Sequence, residues 1–169
     1  NALVPSLAGI AVPSRQAVMY LSPPAEFTAA WAAAPVLLDL GVESGTYALP
    51  PRVGTRLKIG DHEFTRKGHP DDDRTGTDAD VARLHRAARL AWNDFDKYTV
   101  LERKVCYYTV TQDEGFLVRQ EGAKGWLCSA CSGHGFKMGP LMGNAIAATI
   151  AGERDTAGLA PWAAGRLGG

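Results

Sequence analysis

A surplus of charge is the first thing this sequence lacks: eighteen Lys and Arg stand against eighteen Asp and Glu in 169 residues. No global field therefore draws the chain to nucleic acid or to an anionic membrane. Long apolar runs are missing too. The longest nearly apolar stretch, residues 27–38, is broken by Pro35 and is too short to span a bilayer, and no signal-peptide pattern opens the chain. A soluble, cytoplasmic protein is the expectation. Cysteine is scarce and odd in number, three in all, which suits a reducing compartment better than a disulfide framework. His62 and His69 lack a ligand spacing and Cys128-Ser129-Ala130-Cys131 is the one C-x-x-C, so no metal site is expected. No G-x-G-x-x-G follows a strand, which removes the usual seat of a dinucleotide pyrophosphate.

What is present is an ordinary globular composition, 46% hydrophobic and 21% charged, in a chain able to bury roughly 68–70% of its unfolded surface. One domain, or part of one, is expected. Gln16 to Leu21 reads as a strand stopped by Pro23-Pro24, and residues 26–34 as a short helix ended before Pro35. Residues 36–40, 45–49 and 56–62 read as further strands, and this succession predicts an antiparallel sheet. Residues 67–77 form a solvated loop whose Asp71-Asp72-Asp73 run is surface. Thr77 or Asp78 then caps a helix to about Trp92, with Val81, Leu84 and Ala88 on its buried face and His85 at the edge of that stripe.

The stretch that organises the chain runs from Leu127 to Ile150. An uncharged run enters a turn holding Gly133 and Gly135 and becomes an alanine-rich pattern ending at Gly152, which reads as buried strand, glycine turn, helix. Free N–H groups at such a helix start favour an electron-rich partner. Lys137 opposes the helix dipole there, at roughly 0.3–1 kcal/mol when exposed; it is either a solvated lysine or one placed to meet a negative charge. Cys106 lies in an expected strand over 103–111, with Arg103 and Lys104 just before it, and reads either as a buried cysteine or as a thiol disposed toward its thiolate. Lys58 and His62, four apart on a strand, share a face. Cys128 and Cys131 read as small hydrophobes of an interior strand, or as a redox pair.

Three blocks carry a resemblance: Leu57-Lys58-Ile59-Gly60-Asp61-His62, then Val105-Cys106-Tyr107-Tyr108-Thr109-Val110-Thr111, then Ser132-Gly133-His134-Gly135-Phe136-Lys137. Together they resemble the C-terminal half of the monomeric sarcosine oxidase family, FAD-dependent amine oxidases of the D-amino-acid-oxidase-like superfamily. The resemblance implies an α+β fold: an antiparallel substrate-domain sheet, mainly within residues 1–100, followed over 101–169 by the C-terminal strand and helix of a Rossmann-like FAD-binding domain. It implies that the N-terminal dinucleotide-binding unit lies elsewhere, and Asn1 to Pro5, which read like the exit of a helix, carry the same expectation of a fragment or a split half. It further implies FAD tied covalently through Cys106 and lined by Gly133, His134, Gly135 and Phe136. Lys137 would hold the substrate carboxylate, Lys58 would promote reaction with oxygen, and His62 and Tyr47 would border the substrate. The implied reaction oxidises the C–N bond of an amino acid or N-methyl amino acid to an imine, with molecular oxygen reduced to hydrogen peroxide. The alternatives are a flavin dehydrogenase of the same fold, or a half that is inert without its N-terminal partner. Asp61 and Cys131 stand where the family often has aromatic residues.

Overall fold

The computed structural model describes residues 4–39, 41, 43 and 45–166; Leu40, the end of an expected strand, lies outside them. The architecture is mixed α+β. Its larger sheet has the order β2-β3-β4-β1-β5, built from β1 (Val12–Ser22), β2 (Leu37–Leu38), β3 (Thr46–Leu49), β4 (Leu57–Asp61) and β5 (Thr99–Val110). The pairs β1–β4, β2–β3 and β3–β4 are antiparallel, as the run of short strands predicts. A two-stranded ribbon joins β6 (Leu117–Glu121) to β7 (Gly125–Ser129). Helices α1 (Thr28–Ala33), α2 (Asp78–Ala91), α3 (Gly135–Ile150) and α4 (Thr156–Ala163) complete the set.

The chain divides into two compact units, one of residues 15–65 and 69–107, the other of residues up to 14, 66–68 and 108 onward. In the first, one face of the sheet presents Ala17, Met19, Leu21, Ala48, Leu57 and Ile59, all buried, and Leu84 and Ala88 of α2 share their cluster. Period two in the strands and period near 3.6 in the helix bring these residues to a common core. Removing Leu84, wholly buried, from water contributes about 1.5–3 kcal/mol. Thr77 proves to be the cap of α2: its hydroxyl accepts from the Asp80 N–H while the Asp80 carboxylate accepts from the Thr77 N–H. In the second unit Val118, Met142, Ala145, Leu159 and Ala163 form the core between the ribbon and helices α3 and α4. Helix α3 ends in a Schellman motif, the Gly152 and Glu153 N–H groups donating to Thr149 and Ala148, with Gly152 at φ 78°.

Three expectations need correction. β1 starts at Val12 rather than Gln16, because the polar side chains at its beginning find partners. Ser14 Oγ accepts from the Arg66 N–H, Arg15 pairs with Asp80, and Gln16 Nε2 donates to the Glu63 carbonyl. The strand expected to be buried before Gly133 is β7, which pairs only with β6; Trp126 and Leu127 are half-buried and Cys128 is exposed, since a ribbon of two strands cannot enclose its own faces. Finally, β6 and α4 have no counterpart in the expectations. Arg119, Gln120 and Glu121 hide the one, and Gly158 and Pro161 depress helix propensity in the other.

Candidate functional site

Tyr47, Lys58 and His62 come together on the face of β3 and β4 opposite the apolar core. Tyr47 is in register with Gly60, and paired residues of an antiparallel ladder project to the same side. The Tyr47 ring lies over that glycine so closely that a Cβ there would stand 2.5 Å from Tyr47 Oη. Gly60 thus makes the seat for the ring. Lys58 Nζ sits 5.9 Å from the Tyr47 ring centroid on one side, and the His62 ring lies 5.2 Å from it on the other. The lysine and the tyrosine are half-buried and His62 is exposed. A cation, a phenol and an imidazole around one ring form a polar face able to receive a small anion or a polarised oxygen.

The back of this strand is fixed by charge. Asp61 projects to the core side and pairs with Arg83 of α2, whose guanidinium also meets Glu63 at 3.0 Å. Both neighbours of His62 in the chain are thereby held to α2, and period two turns His62 the other way. Asp61 stands beside His62 in sequence yet faces away from the cluster, and its Oδ1 is buried without a hydrogen-bond partner among the described residues. Arg15 grips Asp80 through two bonds of 2.7 Å. That guanidinium, helped by the Thr77 cap, holds the Asp80 carboxyl down at about 2 against the opposing effect of burial.

Cys106 is a half-buried, free thiol on β5 in the same unit. The cations expected to favour its thiolate are engaged elsewhere. Arg103 pairs with Asp78, and Lys104 pairs with Glu102 at 2.9 Å and lies over the Tyr20 ring.

Gly133, His134, Gly135, Phe136 and Lys137 belong to the second unit. The turn before α3 carries φ +51° at Ala130, +46° at Ser132 and +81° at Gly133, so three residues take the left-handed conformation that L side chains resist. Ser132 is buried, and its N–H donates to the Thr109 carbonyl of β5. Gly133 faces Tyr108, whose ring would lie 2.9 Å from a Cβ there; close approach as well as positive φ demands glycine. His134 Nδ1 lies 2.8 Å from the Ser132 carbonyl. A carbonyl only accepts, so Nδ1 carries a proton and donates to it, and Nε2 is left to accept wherever the ring is neutral. No side chain caps α3 and no acidic residue lies in its first turn. Phe136 and Lys137 are exposed, the phenylalanine completely, and among the described residues Lys137 has no carboxylate partner. An open positive helix end bearing an extra cation and an uncovered ring suits a flat, electron-rich group.

Of the residues that sequence reasoning passed over, Gly60 left a signal, because glycine inside a strand marks a close approach. Tyr108 sits in the second of the three sequence blocks without a role assigned. Arg83 left none; it is one of several arginines on a polar helix face. Among the described residues no group of His, Cys, Asp and Glu could hold a metal ion, and no helix is long and apolar enough to cross a membrane.

Residues 1–149 match the family model of the DAO FAD-dependent oxidoreductases. Among solved structures, a thermally stable mutant of fructosyl peptide oxidase superposes with a TM-score of 0.73 at 18% identity, over 96% of this chain and 42% of that one. A modified fructosyl peptide oxidase from Aspergillus nidulans gives 0.74 at 19% identity, over 92% and 41%. The deglycating fructosamine oxidase from Aspergillus fumigatus gives 0.66 at 17%, over 87% and 38%. At such identities the likeness is one of fold, and the chain spans about two-fifths of the length of these structures. No curated protein matches the sequence.

Proposed function

The chain belongs to the DAO family of FAD-dependent oxidoreductases, and from that premise we propose that it serves the oxidation of a C–N bond in an amino acid or N-substituted amino acid, in the manner of the sarcosine oxidases. The observation that carries the reading is the Tyr47–Lys58–His62 cluster seated on Gly60: Tyr47 of β3 and the pair formed by Lys58 of β4 and His62 just past its end, expected to border one pocket, share one sheet face.

The residues of the second unit fit a flavin ring. The first turn of α3 has free N–H groups, no acidic side chain and an exposed aromatic, and the turn before it is stripped to Gly133 against Tyr108. When bound, FAD supplies the two-electron chemistry, accepting a hydride equivalent from the C–H beside the amine and yielding the electrons to oxygen. This chain supplies positioning and charge. The α3 N–H groups stabilise negative charge gathering near them, Nε2 of His134 offers an acceptor, and Gly135 and Phe136 line the ring. Lys137 binds the substrate carboxylate. Lys58 stabilises negative charge developing on dioxygen, while Tyr47 and His62 wall the substrate. Cys106 is the point of covalent attachment. In this reading residues 1–100 serve mainly the substrate and 101–169 mainly the flavin, and an N-terminal half holds the pyrophosphate. The product imine hydrolyses in water, and oxygen leaves as hydrogen peroxide. The fructosyl peptide and fructosamine oxidases named above extend the candidate amines to sugar-substituted amino acids.

Retention of Lys58 favours an oxidase over a dehydrogenase of the same fold, and peroxide formation decides between them. The test is amine-dependent peroxide release over a panel of N-methyl, cyclic and N-fructosyl amino acids, with Lys137→Met and Lys58→Met as probes. Lys137→Met should raise KM by roughly 10- to 100-fold, the worth of a charge-assisted hydrogen bond. Lys58→Met should slow the oxygen step by about a hundredfold or more and leave anaerobic bleaching by the amine nearly unchanged. Absence of peroxide with every amine, in a preparation that holds flavin, would overturn the oxidase reading.

A further inference from the structure

His62 stands one residue beyond the end of β4 at Asp61, a place where a strand ordinarily frays. Here the segment is tied from several sides. The His62 N–H donates to the Gly45 carbonyl at 3.2 Å, just before β3 begins. The Glu63 carbonyl accepts from a side chain, Nε2 of Gln16 at 2.8 Å, and Gln16 is a β1 residue only 1% exposed. The carboxylates of Asp61 and Glu63 both end on the Arg83 guanidinium, that of Glu63 at 3.0 Å. Residues two apart project to one side only while the chain between them stays extended, so a guanidinium shared by residues 61 and 63 holds residue 62 extended and its ring on the other side. Arg83 has a firm base, because α2 is held by Leu84 and Ala88, both wholly buried, and by the two bonds from Arg15 to Asp80. Side chains from β1 and α2 thus take over from the ladder where the His62 ring meets Tyr47, 5.2 Å between centroids and tilted by 49°.

We propose that Gln16 and Arg83 are the positioning residues of the substrate wall, holding residues 61–63 so that the His62 ring stays against Tyr47. They act through the segment that carries His62. Without the guanidinium, the Asp61 and Glu63 carboxylates face one another across a single residue, and their repulsion favours any conformation other than the extended one. A lysine in its place carries the charge but lacks the planar fork that serves two carboxylates at once. Without the Gln16 amide, the Glu63 carbonyl loses its donor and the chain after His62 loses its tie to β1. The part these residues play in substrate binding rests on the oxidase reading; the positioning of the ring does not.

The experiment is histidine-ring NMR on the full chain, isolated with any polypeptide that accompanies it. The sequence holds four histidines; His62 lies on Tyr47, and His85 of α2 lies on Phe95 at 5.1 Å. His85 therefore reports whether α2 survives a substitution. Arg83→Met and Gln16→Met should each abolish the ring-current shift of the His62 Cε1–H, assigned with His62→Gln, while that of His85 persists. Arg83→Lys should restore part of it. Glu63→Gln, at a side chain 58% exposed, should give a partial loss, and it decides the matter should Arg83→Met disturb α2. A His62 shift unchanged in both Glu63→Gln and Gln16→Met would overturn the proposal. Loss of the His85 shift together with that of His62 in every variant would overturn it too, as the mark of a merely structural effect. In the flavin-loaded enzyme, Arg83→Met should raise KM for the amine by about tenfold, the worth of one hydrogen bond from a misplaced ring, and change kcat less. A KM unmoved while the His62 ring moves would remove these residues from the substrate wall. Because the ring shifts are read without amine or oxygen, failure of the oxidase reading shows separately, as absent amine-dependent peroxide.

Discussion

The sheet face bearing Tyr47, Lys58 and His62 and the turn bearing Gly133 to Lys137 hold polar groups in opposite ways. Behind the first lie a buried apolar core and a carboxylate network, Asp61 and Glu63 on Arg83 and Asp80 on Arg15, so its geometry is set by the chain itself. The second is strained in backbone, uncapped and exposed, and it carries a cation where the helix dipole disfavours one, with no carboxylate against it among the described residues. The difference teaches where stability was yielded: the sheet is preorganised, whereas the turn keeps a strained backbone and an uncapped helix start with nothing in its own segment to offset them.

The sharpest way to break this contrast is to hollow out one side. Leu84→Ala beneath the sheet should cost about 2–5 kcal/mol, whereas Phe136→Ala, on a ring fully exposed, should fall within about 0.5 kcal/mol of the parent, both read by urea unfolding. Equal losses would erase the distinction. Acid tests the charge network next. The Asp80 carboxyl, held at about 2 in the folded state, lies below its unfolded value of ~3.9. Its contribution of about 2–3 kcal/mol is therefore complete above roughly pH 5 and is lost as pH falls toward 2. Stability measured against pH should show that loss in the parent and not in Asp80→Asn. A smaller effect distinguishes the seat of the ring: Gly60→Ala drives a methyl into Tyr47 and should cost about 1–3 kcal/mol, with most of the penalty relieved in the double variant that adds Tyr47→Ala. Smallest is the turn itself. Lys137→Glu should stabilise α3 by about 0.3–1 kcal/mol while abolishing retention of a carboxylate substrate, a gain and a loss that a merely solvated lysine would not combine.

How much of this was legible in the sequence follows the same divide. The alternation of Leu57, Ile59 and Asp61 against Lys58, Gly60 and His62, and the stripe through Leu84 and Ala88, fix strand, helix and face by period alone. Helix α3 and its stop at Gly152 were readable for the same reason. β6 was not, because Arg119 to Glu121 satisfy their charge at the surface of a ribbon and leave no apolar alternation to detect. The exposure of Cys128 was equally hidden, since an uncharged run looks the same whether it has two neighbouring strands or one. Arg83 escaped notice because its importance lies in two carboxylates brought to it by register, and the engagement of Arg103 and Lys104 by Asp78 and Glu102 depends on contacts no spacing reveals.

Flavin carried at Cys106 is the property on which the proposed chemistry depends most directly. The measurement is the intact mass of the chain after acid denaturation, isolated with any polypeptide that accompanies it and compared with Cys106→Ala. The prediction is an adduct with the mass of FAD on the parent chain, yellow after denaturation and absent from the variant. An unmodified mass in both, with no flavin released into solution, would contradict the assignment of these residues to a flavin site.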